Sequence, residues 1–231
     1  MGLTVGMPEG NMEEKTLCCM VLDDSGSMDG SPIQQLNDGL EFFDKDIEED
    51  VRLSNGLELA LIKFGSDVEV IQEPALIYDV TMPTLTADSG LTSLNEAVRE
   101  AIRTVEDRKA YYKQSKMTYK RPWIVVLTDG APTDGDVSAL ASQIETDTKN
   151  GSYVLLTIGV DGADMGTLNQ MAGYIKKEDG SFEKMSALSL ESAKFSEFFE
   201  WLSKSMAIVH ASKDGEGVTM PEPTWMKGFV A

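Results

Sequence analysis

The segment "VLDDSGSMDGS", residues 21–31, spaces Asp23, Ser25 and Ser27 at every second position directly after an apolar run. Carboxylate and hydroxyl oxygens are hard donors that suit magnesium, calcium or manganese rather than zinc or copper. Two other segments carry the same chemistry, "DSGLTSLNEA" with Thr92 and "LTDGAPTD" with Asp129. Three hydroxyls with two carboxylates leave a divalent cation formally neutral. Magnesium takes six oxygens and usually keeps water, so such a set leaves a position for an outside ligand such as a partner's Asp or Glu. The only histidine, His210, is remote in sequence. Each of these residues taken singly could equally be a helix cap or a turn; the combination favours a metal site, with Asp23, Ser25, Ser27, Thr92 and Asp129 as the expected ligand set.

Other chemistries fit the same letters less well. A calcium loop counted from Asp23 wants Gly at its sixth position and Glu at its twelfth, where Met28 and Gln34 stand. Acid phosphatases of the haloacid-dehalogenase type place a nucleophilic Asp after the first strand and a second Asp two residues on; Ser25 holds that second place. The G-x-x-x-x-G-K-[ST] phosphate loop is absent, and no G-x-G-x-x-G turn follows the first strand. Neither Ser25 nor Ser27 has a sequence candidate for a general base, so no enzyme is expected.

The elements that must position these residues follow from hydrophobic pattern. "TLCCMVLD" (16–23), "WIVVLTD" (123–129) and "SYVLLTIGV" (152–160) are nearly continuous apolar runs, as strands covered on both faces are. "LELALIKF" (57–64) and "VEVIQ" (68–72) read as a hairpin, with the second strand at a sheet edge. A short sixth strand is expected near 184–188. Helical patterns fall at 32–47, 93–108, 137–148, 165–172 and 191–208. Strands alternating with helices predict an α/β fold: a doubly wound, mostly parallel central sheet with one antiparallel edge strand and helices on both faces. Ligands in such folds sit at the carboxyl ends of the strands, where all three candidate loops emerge. The expected organisation is an N-terminal extension (1–14), one domain (15–210) and a turn-rich tail (211–231) that docks Trp225 and Phe229.

A formal net charge of −19 over 231 residues repels nucleic-acid phosphates and anionic membranes, so neither is an expected partner. No apolar run approaches the roughly 20 residues of a membrane helix, and the start "MGLTVGMPEG" has no secretory pattern. Cys18 and Cys19 are adjacent on a strand, so they point to opposite faces and suit core filling in a reducing cytoplasm. The basic segment 103–121 contains Arg103, Arg108, Lys109, Lys113, Lys116, Lys120 and Arg121, interleaved with tyrosines. It is either a solvated helix end or a docking patch for an acidic partner.

The D-x-S-x-S pattern, the Thr of a second loop and the Asp of a third together resemble the metal-ion-dependent adhesion site (MIDAS) of von Willebrand factor type A domains, over about residues 15–208. The resemblance implies that Ser25, Ser27 and Thr92 ligate the metal directly or through water, and that Asp23 and Asp129 act largely through water or behind the ligands. It implies a metal-dependent protein-interaction module, with Mg2+ the expected ion and Ca2+ or Mn2+ the alternatives, binding a carboxylate of a protein partner. "MPTLTADSGLTSLNEAVREAI", "YKRPWIVVLTDGAPTD" and "FSEFFEWLSKSM" further resemble small bacterial stand-alone proteins of the tellurium-resistance type, which implies a cytoplasmic stress-response setting. A metal-dependent phosphatase on a related fold, or a structural subunit with a permanently filled site, are the alternatives.

Overall fold

The computed structural model describes residues 13–87, 90–177, 179–213 and 220–223. The elements in chain order are β1 (Thr16–Asp23), α1 (Ser31–Glu48), α2 (Val51–Gly56), β2 (Leu57–Phe64), β3 (Val68–Leu76) and α3 (Leu94–Gln114). They continue with β4 (Trp123–Thr128), α4 (Ser138–Lys149), β5 (Val154–Val160), α5 (Met165–Met171), β6 (Tyr174–Lys176), β7 (Phe182–Lys184), β8 (Leu188–Leu190) and α6 (Phe195–Ala211).

Six strands form one sheet in the order β3-β2-β1-β4-β5-β8. All are parallel to their neighbours except the edge strand β3, which runs antiparallel to β2. The predicted fold class is therefore the one observed. β3 continues past the expected residue 72 by absorbing Pro74 in an irregular stretch, where Leu59 pairs with Ala75 but Leu61 with Gln72. Proline is tolerated there because an outer strand need not donate on its open side.

Period-2 alternation along β1 divides its side chains between two cores. Cys18, Met20 and Leu22 join the layer under α1 and α6, while Leu17, Cys19 and Val21 join the layer under α3, α4 and α5. Both cysteines are free and buried on opposite faces, as their adjacency predicts. α1 buries Ile33, Leu36, Leu40, Phe43 and Ile47 at helical spacing. It lies close against α6 because Gly39 has no side chain: a Cβ there would stand 2.4 Å from a Phe199 ring carbon.

Three elements depart from expectation. α2 is too short to show a helical period, but Asp50 caps it by accepting from the Arg52 and Leu53 amides (both 3.1 Å). The strand expected at 184–188 is two objects: Phe182–Lys184 pairs with β6 in a separate hairpin, and the strand that extends the main sheet is Leu188–Leu190. α3 runs on to Gln114, and its last turns alter the reading of the basic segment. Arg108 is buried on Glu58, Lys109 pairs with Glu106 and Lys120 pairs with Glu14. Arg103, Lys113, Lys116 and Arg121 are exposed, Arg103 in a pair with Glu100, so the buried Arg108, Lys109 and Lys120 are closed to an acidic partner. Trp225 and Phe229 lie outside the described residues. The tail's described contacts include the Ser212 carbonyl, which accepts from Lys120 Nζ at 2.8 Å, Met220 packed against the core under α1 and α6, and the Pro221 carbonyl, which accepts from Trp201 Nε1 at 2.7 Å.

Candidate metal site at the carboxyl end of the sheet

Register brings the first and third loops together. Leu22 pairs with Leu127 across β1 and β4, so the next residues, Asp23 and Thr128, stand side by side where the two strands end. Thr128 Oγ1 donates a short hydrogen bond to Asp23 Oδ2, and the Ser25 amide donates to Asp23 Oδ1 at 2.8 Å. Asp23 is fully buried, and both its oxygens hold neutral donors. Burial pushes its carboxyl up from the ordinary value, against the pull of the Ser25 and Thr128 hydrogen bonds.

A single turn of 3-10 helix, Gly26–Met28, carries Ser27 over the strand end toward β4. Ser27 Oγ donates to Asp129 Oδ1 at 2.7 Å, and Ser25 Oγ stands 3.1 Å from Ser27 Oγ. Asp129 is partly buried, which raises its carboxyl, while the Ser27 hydrogen bond lowers it.

Thr92 enters from the loop before α3. A Cβ added to Gly130 would lie 3.0 Å from Thr92 Oγ1, which sets the threonine hydroxyl against the residue after Asp129. Thr133 fixes that loop. Its amide donates to the Thr92 carbonyl (2.9 Å), and its hydroxyl accepts from the Thr92 amide (3.0 Å) while donating to the same carbonyl (3.2 Å). All five expected residues thus meet at one end of the sheet, on three loops. Asp24 turns away from them to Lys63 (3.5 Å).

Asp134 and Asp136 divide their roles. Asp136 accepts from Ser138 at the start of α4 (3.0 Å). Asp134 caps α3 from another loop, taking the Glu96 amide at 2.9 Å and the Asn95 amide group at 3.3 Å. Thr128 and Thr133 are the supporting residues that the sequence reading missed. Thr128 carried a signal, a hydroxyl next to Asp129 at a strand end. Thr133 carried none, because its partner is 41 residues away.

Hydroxyl and carboxylate oxygens from Ser25, Ser27, Thr92, Asp23 and Asp129 fit a hard divalent cation. Among the described residues no three His, Cys, Asp or Glu side chains stand close enough to hold a metal ion without such hydroxyls. His210 is at the far end of β1, in a hydrogen bond with Thr16 (3.1 Å).

A doubly wound sheet whose strand ends gather D-x-S-x-S, a threonine and an aspartate defines a class. Residues 19–194 match the von Willebrand factor type A domain, and the chain belongs to that family. No curated protein matches it. Among solved structures it is similar to the ArnB paralog VWA2 from Sulfolobus acidocaldarius (17% identity, TM-score 0.54, covering 84% of this chain and 45% of that one). It is also similar to proximal thread matrix protein 1 of the mussel byssus with a zinc-occupied MIDAS motif (16%, TM-score 0.53, 84% and 48%). A third is the vWF domain of the type V pili tip protein Mfa5 from Porphyromonas gingivalis (12%, TM-score 0.57, 87% and 98%). The chain spans about half the length of the first two and nearly all of the third. At these identities the likeness is one of fold.

Proposed function

We propose that the protein is a metal-dependent protein-interaction module. Ser25, Ser27 and Thr92 would hold a divalent ion, magnesium in the first instance, with Asp23 and Asp129 behind them supplying the balancing charge. The ion supplies a positive centre with a replaceable ligand position, and a carboxylate of a protein partner takes that position. The observation that carries this reading is the chain of contacts from Asp23 through Ser25 and Ser27 to Asp129, with Thr92 alongside. It joins three loops, and among the described residues no cationic side chain is one of its hydrogen-bond partners. The zinc-occupied MIDAS of the byssus protein supports a divalent ion in such a fold.

We read the site as binding rather than catalytic. Both oxygens of Asp23 are engaged, so it is not poised as a phosphatase nucleophile. Neither serine has an imidazole base, because His210 is at the opposite end of β1. A cytoplasmic stress-response role of the tellurium-resistance type, in one domain spanning 15–210, completes the proposal. Its support is the three quoted segments and the two buried free thiols; no helix among the described residues is long and apolar enough to cross a membrane.

Calorimetric titration of chelated protein with Mg2+, followed by affinity capture with and without chelator, tests the proposal. Uptake of about one ion and capture lost in chelator and in Asp129→Ala are expected. Failure to take up Mg2+, Ca2+ or Mn2+ after chelation, or equal capture in chelator, overturns it.

A further inference from the structure

The two poles of the molecule are chemically unlike. At the carboxyl end, the loops 24–30, 65–67, 91–93, 129–137, 161–164 and 191–194 contain eight Asp and one Glu against a single cation, Lys194. Lys63, at the end of β2, is held by Asp24 (3.5 Å) and Glu69 (3.3 Å). Leu91, next to Thr92, is 52% exposed. A carboxylate approaching the metal must therefore cross an acidic rim, which favours one with cationic and apolar neighbours.

The β6–β7 hairpin lies at the other pole. The Tyr174 amide donates to Thr148 Oγ1 (3.0 Å) in the last turn of α4, and a Cβ on Gly173 would stand 3.1 Å from the Leu155 carbonyl at the start of β5. From Ile175 to Lys184 every described residue is exposed. Two strands alone are marginally stable in water, yet this pair holds Ile175 and Phe182 out at 41% and 42% exposure. Near its turn stands Asp179, whose Oδ1 accepts from the Ser181 amide (2.9 Å) and hydroxyl (2.5 Å). Those bonds hold its carboxyl below the ordinary range, so it is ionised at neutral pH. Lys176 and Lys177 precede it, and Phe182 follows.

Resting on the metal-site reading above, we propose that the partner is a second copy of this chain: Asp179 of one molecule enters the metal site of the next. The hairpin brings what the acidic pole calls for, namely a fixed carboxylate, Lys176 for the rim and Phe182 or Ile175 for Leu91, while Lys177 is paired with Glu183 at 2.9 Å. Donor and acceptor surfaces lie at opposite ends, so the contact is head-to-tail and builds an open chain rather than a closed pair. The net charge of −19 opposes contact between copies, but it is screened beyond about 8 Å at physiological salt. A local, metal-bridged contact survives that screening.

Sedimentation velocity across a concentration series, with Mg2+ or with chelator, tests this, alongside calorimetric Mg2+ titration of the same sample. The expected result is mass rising with concentration in Mg2+ only. Asp179→Asn, which keeps an oxygen for Ser181, should bind Mg2+ as wild type does and remain monomeric. Asp23→Ala should remain monomeric for want of a metal site, with Thr92→Val as a second variant of the same kind. Mixed, Asp179→Asn and Asp23→Ala should form a one-to-one pair and nothing larger, because each lacks what the other keeps. Wild type that binds Mg2+ yet stays monomeric, or Asp179→Asn that associates like wild type, overturns the inference and leaves the metal site standing. No Mg2+ uptake by wild type overturns the metal-site reading itself.

Discussion

Each end of the sheet buries a carboxylate, and the two are balanced differently. At the amino end Glu58, fully buried near the start of β2, receives Arg108 through two bonds (2.6 and 2.8 Å) and the Tyr112 hydroxyl (2.5 Å). Burial and the Glu58 carboxylate push the Tyr112 hydroxyl well above its ordinary value, so it remains a donor. At the carboxyl end Asp23, also fully buried, receives an amide and a hydroxyl. A buried charge needs a counter-charge or becomes neutral. The amino end takes its counter-charge from the chain, and in the proposed reading the carboxyl end takes one from solution. That difference separates a structural ion pair from a binding site built of similar atoms.

The largest expected effect lies at the self-sufficient end. Arg108→Met leaves Glu58 buried without its cation and should cost about 3–5 kcal/mol in urea unfolding. Glu58→Leu with Arg108→Met should recover most of the loss, since an apolar pair of similar volume replaces a fully desolvated one. If the double variant is as unstable as the single, the ion pair is contributing more than charge balance.

At the other end the counter-charge can be withdrawn without mutation. Wild type should unfold at higher temperature in Mg2+ than in chelator, by about 2.7 kcal/mol at a hundredfold excess over the dissociation constant. Asp23→Asn should match or exceed wild type in chelator, because it removes an unpaired buried charge, and should gain little from Mg2+. An undiminished gain would place the ion elsewhere.

Gly130→Ala is a smaller probe of the same end. The new methyl would stand 3.0 Å from Thr92 Oγ1 and 3.3 Å from its Cγ2, so Thr92 must shift while the buried sheet does not. We expect the Mg2+ gain to fall by more than the metal-free stability does. Equal losses in both conditions would mean that Thr92 is a packing residue.

The two ends were unequally legible in the sequence. The metal loops could be read because hydroxyls and carboxylates at fixed spacing followed apolar runs, and a parallel sheet collects strand ends at one edge. Glu58 and Arg108 are 50 positions apart, and neither has a local pattern that sets it apart from the solvated charges around it. The basic segment consequently read as more open than it is. The same limit hid Thr133 and the cross-loop cap made by Asp134, both of which depend on which loops the topology sets side by side. Short elements escaped because α2 and β6–β7 span too few residues to show a period.

Acid should move the two ends in opposite directions, with the smallest effect of the set. His210 is buried against Thr16 at the start of β1, and a Cβ on Gly56 would collide with its ring. Burial, then the neighbouring Arg52 charge, lowers its imidazole from 6.5, against Glu13, Glu14 and Asp50, which raise it. The unfolded chain therefore takes the proton first. The contribution is full above pH 6.5 and is lost as pH falls toward the lower folded value, by about 1.4 kcal/mol per unit of displacement. Asp23 and Asp129, both raised from 3.8, act in the reverse sense when metal-free. The folded state binds their protons first, so stability returns as pH falls through their raised values toward 3.8. In chelator, wild-type stability should decline just below pH 6.5, and His210→Gln should flatten that decline while Asp23→Asn leaves it unchanged. If His210→Gln keeps the full slope, the acid sensitivity belongs to other groups.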